Sequence, residues 1–384
     1  MATAMVLILV AAGSPTPLLP IYEREWGFAP WLLTLAFGVY AIALLLTILV
    51  IGSLSDHVGR RPLMIAALGG DLVAMLVFLF SPSIEWLIVG RVVQGLATGA
   101  ASSAISAAVV ELAPERHKKL GAQVAGMAPI AGLAVGALFA GLVAQFAAHA
   151  TATVWLVLAI VMAAGTVFTL FVPETSSRKP GALASLTPRL SVPAQVRGLF
   201  AATVAGTVAT FLTMALFLGL VPIVLAAVFG VTGPIFGALA AFIAFGLGTL
   251  VSAGAGAVAP HRLRLLGSAG LTVGAILFIA SVGTGALALF WASAVLCGAG
   301  MGASFTGTTR GLVPEVKPHE RAGLFAAVYL VAYLSMGVSS IVAGLVVGPV
   351  SVRAMAAGFG VVTALVALAG ALTSAGHRRT RQIR

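Results

Sequence analysis

Charges in this chain come in short clusters, and between one cluster and the next the sequence runs apolar for roughly the 20 residues a bilayer-spanning helix needs. Twelve such runs can be read, at about 2–21, 31–54, 62–80, 84–111, 121–147, 152–172, 199–228, 235–259, 265–282, 286–312, 322–347 and 352–375. Only 8% of the 384 residues are charged and 60% are apolar, whereas soluble domains are about a quarter charged, so a soluble globular protein is excluded. The runs lack period-two alternation, and lipid admits only helices or closed barrels, which leaves helices. The expected fold class is an all-α polytopic membrane protein of twelve transmembrane helices. The 45 glycines suit close helix contact in lipid.

The net charge of +11 owes as much to scarce acids as to added bases, 10 against 21, and is a poor argument for nucleic-acid binding. The first run imitates a secretory signal but has no basic residue before Arg24, so it is read as a retained span. A single cysteine, Cys297, lies inside an apolar run, which excludes disulfide staples and thiolate metal clusters. No metal site is expected.

Every Lys and Arg except Arg24, Arg91 and Arg353 falls in the loops after the even-numbered runs or in the C-terminal tail. By the positive-inside rule that face is cytoplasmic, and with an even number of spans both termini share it. The longest polar break carries Pro180, Pro188 and Pro193 and reads as a linker. This divides the chain into an N-terminal six-helix bundle (1–172), a cytoplasmic linker (173–197), a C-terminal six-helix bundle (198–376) and a basic cytoplasmic tail (377–384). The halves repeat. Gly52 to Arg60 reads GSLSDHVGR and Gly256 to Arg264 reads GAVAPHRLR, 204 residues on; Glu111 and Pro114 recur as Glu315 and Pro318 at the same spacing. A duplicated six-helix unit is the pattern of secondary transporters, which hold their solute between the halves and rock them alternately.

Gly52, Ser55, Asp56, His57, Gly59, Arg60, Arg61 and Pro62 resemble the signature loop of the major facilitator superfamily, in the place where that family has it, between helices 2 and 3. Helix count and duplication extend the resemblance over the whole chain. Gly59 is expected to supply a positive φ in the turn, Gly52 to let helix 2 approach a neighbour, and Pro62 to sit in the first turn of helix 3. The resemblance implies a conformational latch formed by Gly52, Asp56, Gly59, Arg60, Arg61 and Glu111, with Asp56 against the N-terminus of helix 11 and an arginine paired to Glu111. A tight turn with orientation charges is the plainer alternative. His57 departs from the family's basic residue, and Pro260 stands where the second copy would have its acid, so a latch there is weakened or absent.

Arg91, Gln94, Gly95 and Gly99 match the family's Arg, two residues, Gln, Gly pattern on helix 4. A charge inside a span calls for a partner. At 1.5 Å per residue, Arg91 lies about 10 Å and Asp71 about 15 Å from the same surface, so the two are expected to interact, directly or through water, and to serve proton coupling. A purely structural polar contact of Asp71 with helix 2 or 4 is the alternative. Helix 5, with Gly126, Pro129, Gly132, Gly136 and Gly141, looks like a degenerate antiporter motif, although small residues at that spacing also serve plain packing. In this fold helices 1, 4, 7 and 10 line the cavity, assisted by 2, 5, 8 and 11. The candidate lining is Tyr40, Arg91, Gln94, Thr98, Met127, Thr207, Phe211, Met214, Trp291, Met301, Tyr329, Tyr333 and Met336. Its Met and aromatic content suits an amphipathic or aromatic solute better than a sugar.

No acid occurs between Glu174 and Glu315, so proton coupling belongs to the first half; Asp71 is its one mid-span acid, with Glu23, Glu25 and Glu85 near the outer edge and none expected in helix 1. The leading expectation is a monomeric transporter in a bacterial cytoplasmic membrane that exports small amphipathic compounds or drugs against protons. It needs no cofactor beyond the proton gradient. The alternative is an uptake permease or uniporter for a small, possibly anionic metabolite that uses Arg91 as counter-charge. An enzyme is excluded by the lack of any catalytic set.

Overall fold

The computed structural model describes residues 2–52, 54–112, 118–174, 180–187, 190–317, 320–347 and 349–382, and within these the side chains of all but 2, 3, 5, 56, 103–112, 118–126, 184 and 377–382. The described residues are all-helical, with twelve long helices and a long connection between the sixth and the seventh. α1 is Ala2–Gly13 continued by Pro15–Trp26, α2 Trp31–Ile51, α3 Arg60–Leu79, α4 Ile84–Leu112, α5 Lys118–Phe146 and α6 Ala150–Thr169. α7 comprises Arg197–Ala215, a π-helical turn at Leu216–Leu220, and Val221–Phe229. There follow α8 Pro234–Gly254, α9 Pro260–Thr284, α10 Leu287–Leu312, α11 Arg321–Val347 and α12 Val352–Gln382. Among the described residues, eleven helices are long and apolar enough to cross a membrane. Together with α4 they reproduce the twelve expected spans within a few residues, except that α1 runs on to Trp26. Its final turns therefore contain Glu23 and Glu25, which corrects the expectation that no acid lies in helix 1; neither is mid-span.

The burial pattern is that of a molecule solvated by lipid. Ile160, Leu266 and Leu365 are each at least 60% exposed, whereas Asp71 and Arg91 are 0% and 1% exposed. In water such an apolar surface would be an aggregation site. In a bilayer it faces hydrocarbon while the polar groups turn inward.

α1 and α7 are both interrupted, and at matching places: the 204-residue spacing relates Ser14 to Leu218 in the π-helical turn. Pro15 cannot donate the hydrogen bond that would carry α1 through, and Pro222 does the same just past the turn in α7. The carbonyl that Pro15 leaves without its helical donor, that of Ala11, accepts from Gln94 Nε2 at 3.0 Å, while Ser14 donates from Oγ to the Val10 carbonyl at 2.7 Å, with the Gly136 carbonyl of α5 3.3 Å away. That last distance reflects how close α1 and α5 lie. A Cβ on Gly136 would fall on the Val10 backbone, within 2.9 Å of its Cα, so the degenerate antiporter stretch of α5 is occupied in packing.

Within the first half α3 packs between α4 and α6, and α2 against α4; the second half repeats this with α9 between α10 and α12 and α8 against α10. Between the halves, α2 packs against α11 and α5 against α8. The largest apolar cluster crosses that seam, joining Phe37, Tyr40 and Leu133 of the first half to Phe211, Phe217 and Phe245 of the second.

Candidate substrate and coupling site

At the end of the molecule that carries the basic loops, the residues Ser55–Val58 form one helical turn and Gly59 reverses the chain at φ 109° and ψ 149°, a conformation open to glycine alone. Arg60 then opens α3, and Pro62 sits in its first turn as expected. The exposed helix N-terminus is capped by a residue the sequence reading left unassigned. Glu174, just past α6, accepts hydrogen bonds from the Arg60 N–H at 2.9 Å and the Arg61 N–H at 3.2 Å, so the first N–H groups of α3 meet a carboxylate with favourable charge. Arg61 donates to the Leu170 carbonyl, and His57 Nδ1 lies 3.0 Å from the Pro180 carbonyl. The loop is thus tied to the end of α6 and the start of the linker. A lone acid in a stretch of bases was the available signal for Glu174.

The side chains of Asp56, of Glu111 and of the tail from 377 to 382 lie outside the described ones, as do residues 383–384 altogether, so the expected contacts of Asp56 with helix 11 and of an arginine with Glu111 stay expectations. Among the described residues a Cβ on Gly52 would meet only the Ile48 carbonyl of its own helix, and its close approach to a neighbouring helix stays an expectation. In the second-half copy, α9 starts at Pro260, and Arg310 from the last turn of α10 donates to the carbonyls of Ala255, Val258 and Gly256, the last two at 3.3 and 3.1 Å. An arginine clamp on loop carbonyls therefore holds the turn whose acid is missing.

We expect Glu174→Ala to remove about 1 kcal/mol through loss of the α3 cap, by analogy with capping substitutions, with Glu174→Gln losing less because an amide oxygen still accepts. Thermal unfolding of the two purified variants against wild type checks this; equal midpoints for all three would contradict it.

Midway along the helices, Arg91 is the hub of a polar network. Its Nε–H donates to the Ala36 carbonyl of α2 at 3.3 Å, and its Nη1–H donates to Gln94 Oε1 at 2.6 Å. Gln94 in turn donates from Nε2 to the Ala11 carbonyl of α1 at 3.0 Å. The Arg91 guanidinium lies over the Tyr40 ring at 4.1 Å from its centroid and 5.7 Å from that of Phe37. Two hydrogen bonds and two aromatic faces thus bind a cation that is otherwise expensive at this depth. Arg91 and Gln94 are three residues apart, one helical turn, which lets a single α4 face hold α1 and α2 together.

Asp71 of α3 is within electrostatic reach of both Arg91 and Tyr40. The interaction with Arg91 is not a direct ion pair: among the described residues neither carboxyl oxygen of Asp71 accepts a hydrogen bond. Thr98, one turn beyond Gln94, is buried with its hydroxyl beside that of Tyr40.

Across the seam, Phe211 of α7 meets Tyr333 of α11 edge-on at 5.3 Å and Phe305 of α10 at 5.7 Å, and Tyr329 stands 6.0 Å from Tyr333. Tyr40 belongs to the seam-crossing apolar cluster against which Tyr333 packs. The expected lining therefore divides. Tyr40, Arg91, Gln94, Thr98, Phe211, Tyr329 and Tyr333 belong to one continuous group, joined by Phe37 and Phe305, which the sequence reading missed. Both were reachable from helical spacing, Phe37 three residues before Tyr40 and Phe305 four after Met301. Trp291 meets Phe290 edge-on at 5.2 Å, and Phe290 links it to Phe217, Phe229 and Phe278 within the same apolar cluster that holds Tyr40 and Phe211; its place in the lining stays an expectation. Met301 and Met336 are core residues, Met214 packs against the same apolar cluster, Thr207 is buried in α7, and Met127 is half-buried in α5.

Comparison with known proteins agrees with this architecture. A stretch of 147 residues, 38% of the chain, is 27% identical to the class H tetracycline resistance protein of Pasteurella multocida, over 36% of that protein. Another, of 132 residues or 34% of the chain, is 32% identical to the uncharacterized MFS-type transporter YybF of Bacillus subtilis (strain 168), over 32% of its length. These matches span about a third of each relative. The fold is similar to the crystal structure of the human organic anion transporter MFSD10 (TETRAN), with a TM-score of 0.72 over 96% of this chain and 97% of that one at 17% identity. The family model of the Major Facilitator Superfamily matches residues 1–329, and the chain belongs to that superfamily of transporters, as a multi-pass membrane protein and not an enzyme.

Proposed function

We propose that this transporter exports small amphipathic compounds in exchange for protons, by alternating access between residues 1–172 and 198–376. One observation carries the reading. Asp71, the mid-span acid of a chain whose second half has none between Glu174 and Glu315, is fully buried beside Arg91 with no hydrogen bond to hold it as a fixed anion. A carboxyl so placed is free to gain and lose a proton in the transport cycle, with Arg91 as the charge that reads its state. The aromatic group of Phe211, Phe305, Tyr329 and Tyr333 offers a flat, mostly apolar surface for the solute. The partial similarity to a tetracycline resistance protein supports export of a drug-like solute. The charge asymmetry of the loops supports a cytoplasmic membrane location with both termini cytoplasmic. A monomer suffices, since one chain holds both halves of the path. The loop from Gly52 to Arg61, with Glu111, serves as the latch of one conformation, and the Gly59 turn supports that role.

A second reading rests on the donors of Arg91. Among the described residues two of its hydrogen bonds are filled, which leaves further N–H donors for an anionic metabolite in uptake or uniport. Expression in a drug-sensitive host separates the two. Export predicts lower accumulation of lipophilic dyes and raised resistance; unchanged accumulation together with gene-dependent uptake of an organic anion would overturn it.

A further inference from the structure

We infer that Tyr40 is a positioning residue that carries the protonation state of Asp71 across to the second half, by holding the Arg91 guanidinium on its ring when Asp71 is neutral and releasing it when Asp71 is ionised. The inference rests on the proton-coupled reading above. It starts from a mismatch. Asp71 and Arg91 are buried within electrostatic reach, yet Arg91 spends its hydrogen bonds on Ala36 and Gln94 and its face on Tyr40, while Asp71 accepts none among the described residues. An ionised carboxylate buried without a partner is strongly disfavoured, so this arrangement accommodates the neutral acid. Loss of the proton creates an anion whose nearest cation is Arg91, and the guanidinium then has two competing seats, the carboxylate on α3 and the aromatic face on α2.

Among the described residues, the helices around Asp71 offer that anion no other cation in the middle of the membrane. α4 contributes Arg91, with Glu85 at its first turn and Glu111 at its far end; α2 contributes Tyr40 as its sole titratable residue; α6 has none along Ala150–Thr169. Those of α1, Tyr22, Glu23, Arg24 and Glu25, stand in its final turns. Tyr40 is the member of this group that also reaches the second half: it belongs to the apolar cluster against which Tyr333 packs, Tyr333 meets Phe211 and Tyr329, and two residues before Tyr40 a Cβ on Gly38 would touch the Gly337 carbonyl of α11. α2 and α11 are packed helices of opposite halves, so a change in how Tyr40 is held is felt at the seam along which the halves rock. The second half has no span acid of its own and needs such a contact to sense the proton.

The test is a distance measurement in lipid. Spin labels at Ala29→Cys and Val350→Cys, in exposed loops of opposite halves at the same end of the molecule, are placed in a Cys297→Ala background, and their distance distribution is followed from acidic to alkaline pH. The parent should shift between two populations. Asp71→Asn should hold the acidic population at every pH, Tyr40→Phe should keep the parent response because the ring remains, and Tyr40→Leu and Tyr333→Leu should lose it although Asp71 is intact. A parent-like response in both leucine variants, or its loss in Tyr40→Phe, with Asp71→Asn fixed, would overturn the role of Tyr40 alone. A parent-like response in Asp71→Asn would overturn the proton-carrier reading, and this inference with it.

Discussion

Arg91→Leu is expected to lower the stability of the purified protein by about 3 kcal/mol and to abolish transport, the combined result of stranding several buried groups at once. The substitution removes the donor to Gln94 Oε1 and the donor to the Ala36 carbonyl, and it takes the cation from the faces of Tyr40 and Phe37. Each polar group left without a partner in this environment costs about 1–3 kcal/mol, and a desolvated cation–π contact is worth about 2. Arg91→Lys should lie between wild type and Arg91→Leu, since an ammonium keeps the charge but cannot reach both acceptors in the planar fork of a guanidinium. The double variant Arg91→Leu/Asp71→Asn is the informative one. If the two groups are coupled, it should be less destabilised than the sum of the single variants, because the asparagine has no charge left to strand. Thermal unfolding of the four proteins in one detergent measures this; strict additivity would mean that Asp71 and Arg91 do not sense one another.

Gly136→Val is expected to prevent correct assembly of the first half. A Cβ at this position meets the Cα, carbonyl carbon and oxygen of Val10, and backbone cannot move aside by changing rotamer. Overpacking a core typically costs 1 to ~3 kcal/mol even where side chains can yield, so a collision with backbone should exceed that range. The contact also sets the distance over which Ser14 faces the Gly136 carbonyl, at the break in α1. Gly246→Ala is the matched control: nothing lies within 4 Å of a Cβ there, and replacing glycine inside a helix should gain about 1 kcal/mol. Size-exclusion profiles of the two variants from equal membrane fractions give the answer. A monodisperse Gly136→Val with the wild-type thermal midpoint would show that α1 and α5 are not packed as described.

The spans were legible because a bilayer imposes a length and a composition on each helix, and the charge clusters mark their ends; the match at α2, Trp31–Ile51, and α6, Ala150–Thr169, follows from that. α1 was read short because Glu23, Arg24 and Glu25 look like a loop, whereas hydrogen bonding carries the helix past them to the left-handed cap at Gly27. Arg91 and Asp71 were conspicuous as charges in apolar runs, and equal depth placed them together. What depth cannot supply is direction. Nothing in the spacing says that Arg91 turns toward α2 and its aromatic rings instead of pairing with Asp71, since that depends on how α2, α3 and α4 cross. Trp291 shows the same limit: being on the right helix does not say that its ring meets Phe290 rather than Phe211 or Tyr333. Glu174 and Arg310 were passed over because their partners are backbone groups, N–H in one case and carbonyls in the other, which leave no mark in the sequence.

The central claim is that Asp71 carries the proton, and the most direct measurement is the internal pH of proteoliposomes holding the purified protein and a trapped pH dye. Lipophilic cations, neutral antibiotics and organic anions are added in turn. The expected result is proton movement evoked by the cations or neutral drugs in wild type and absent in Asp71→Asn at equal reconstitution. Proton movement of wild-type size in Asp71→Asn, or a response in wild type to organic anions alone, would contradict the account and leave Arg91 as the counter-charge of an anion transporter.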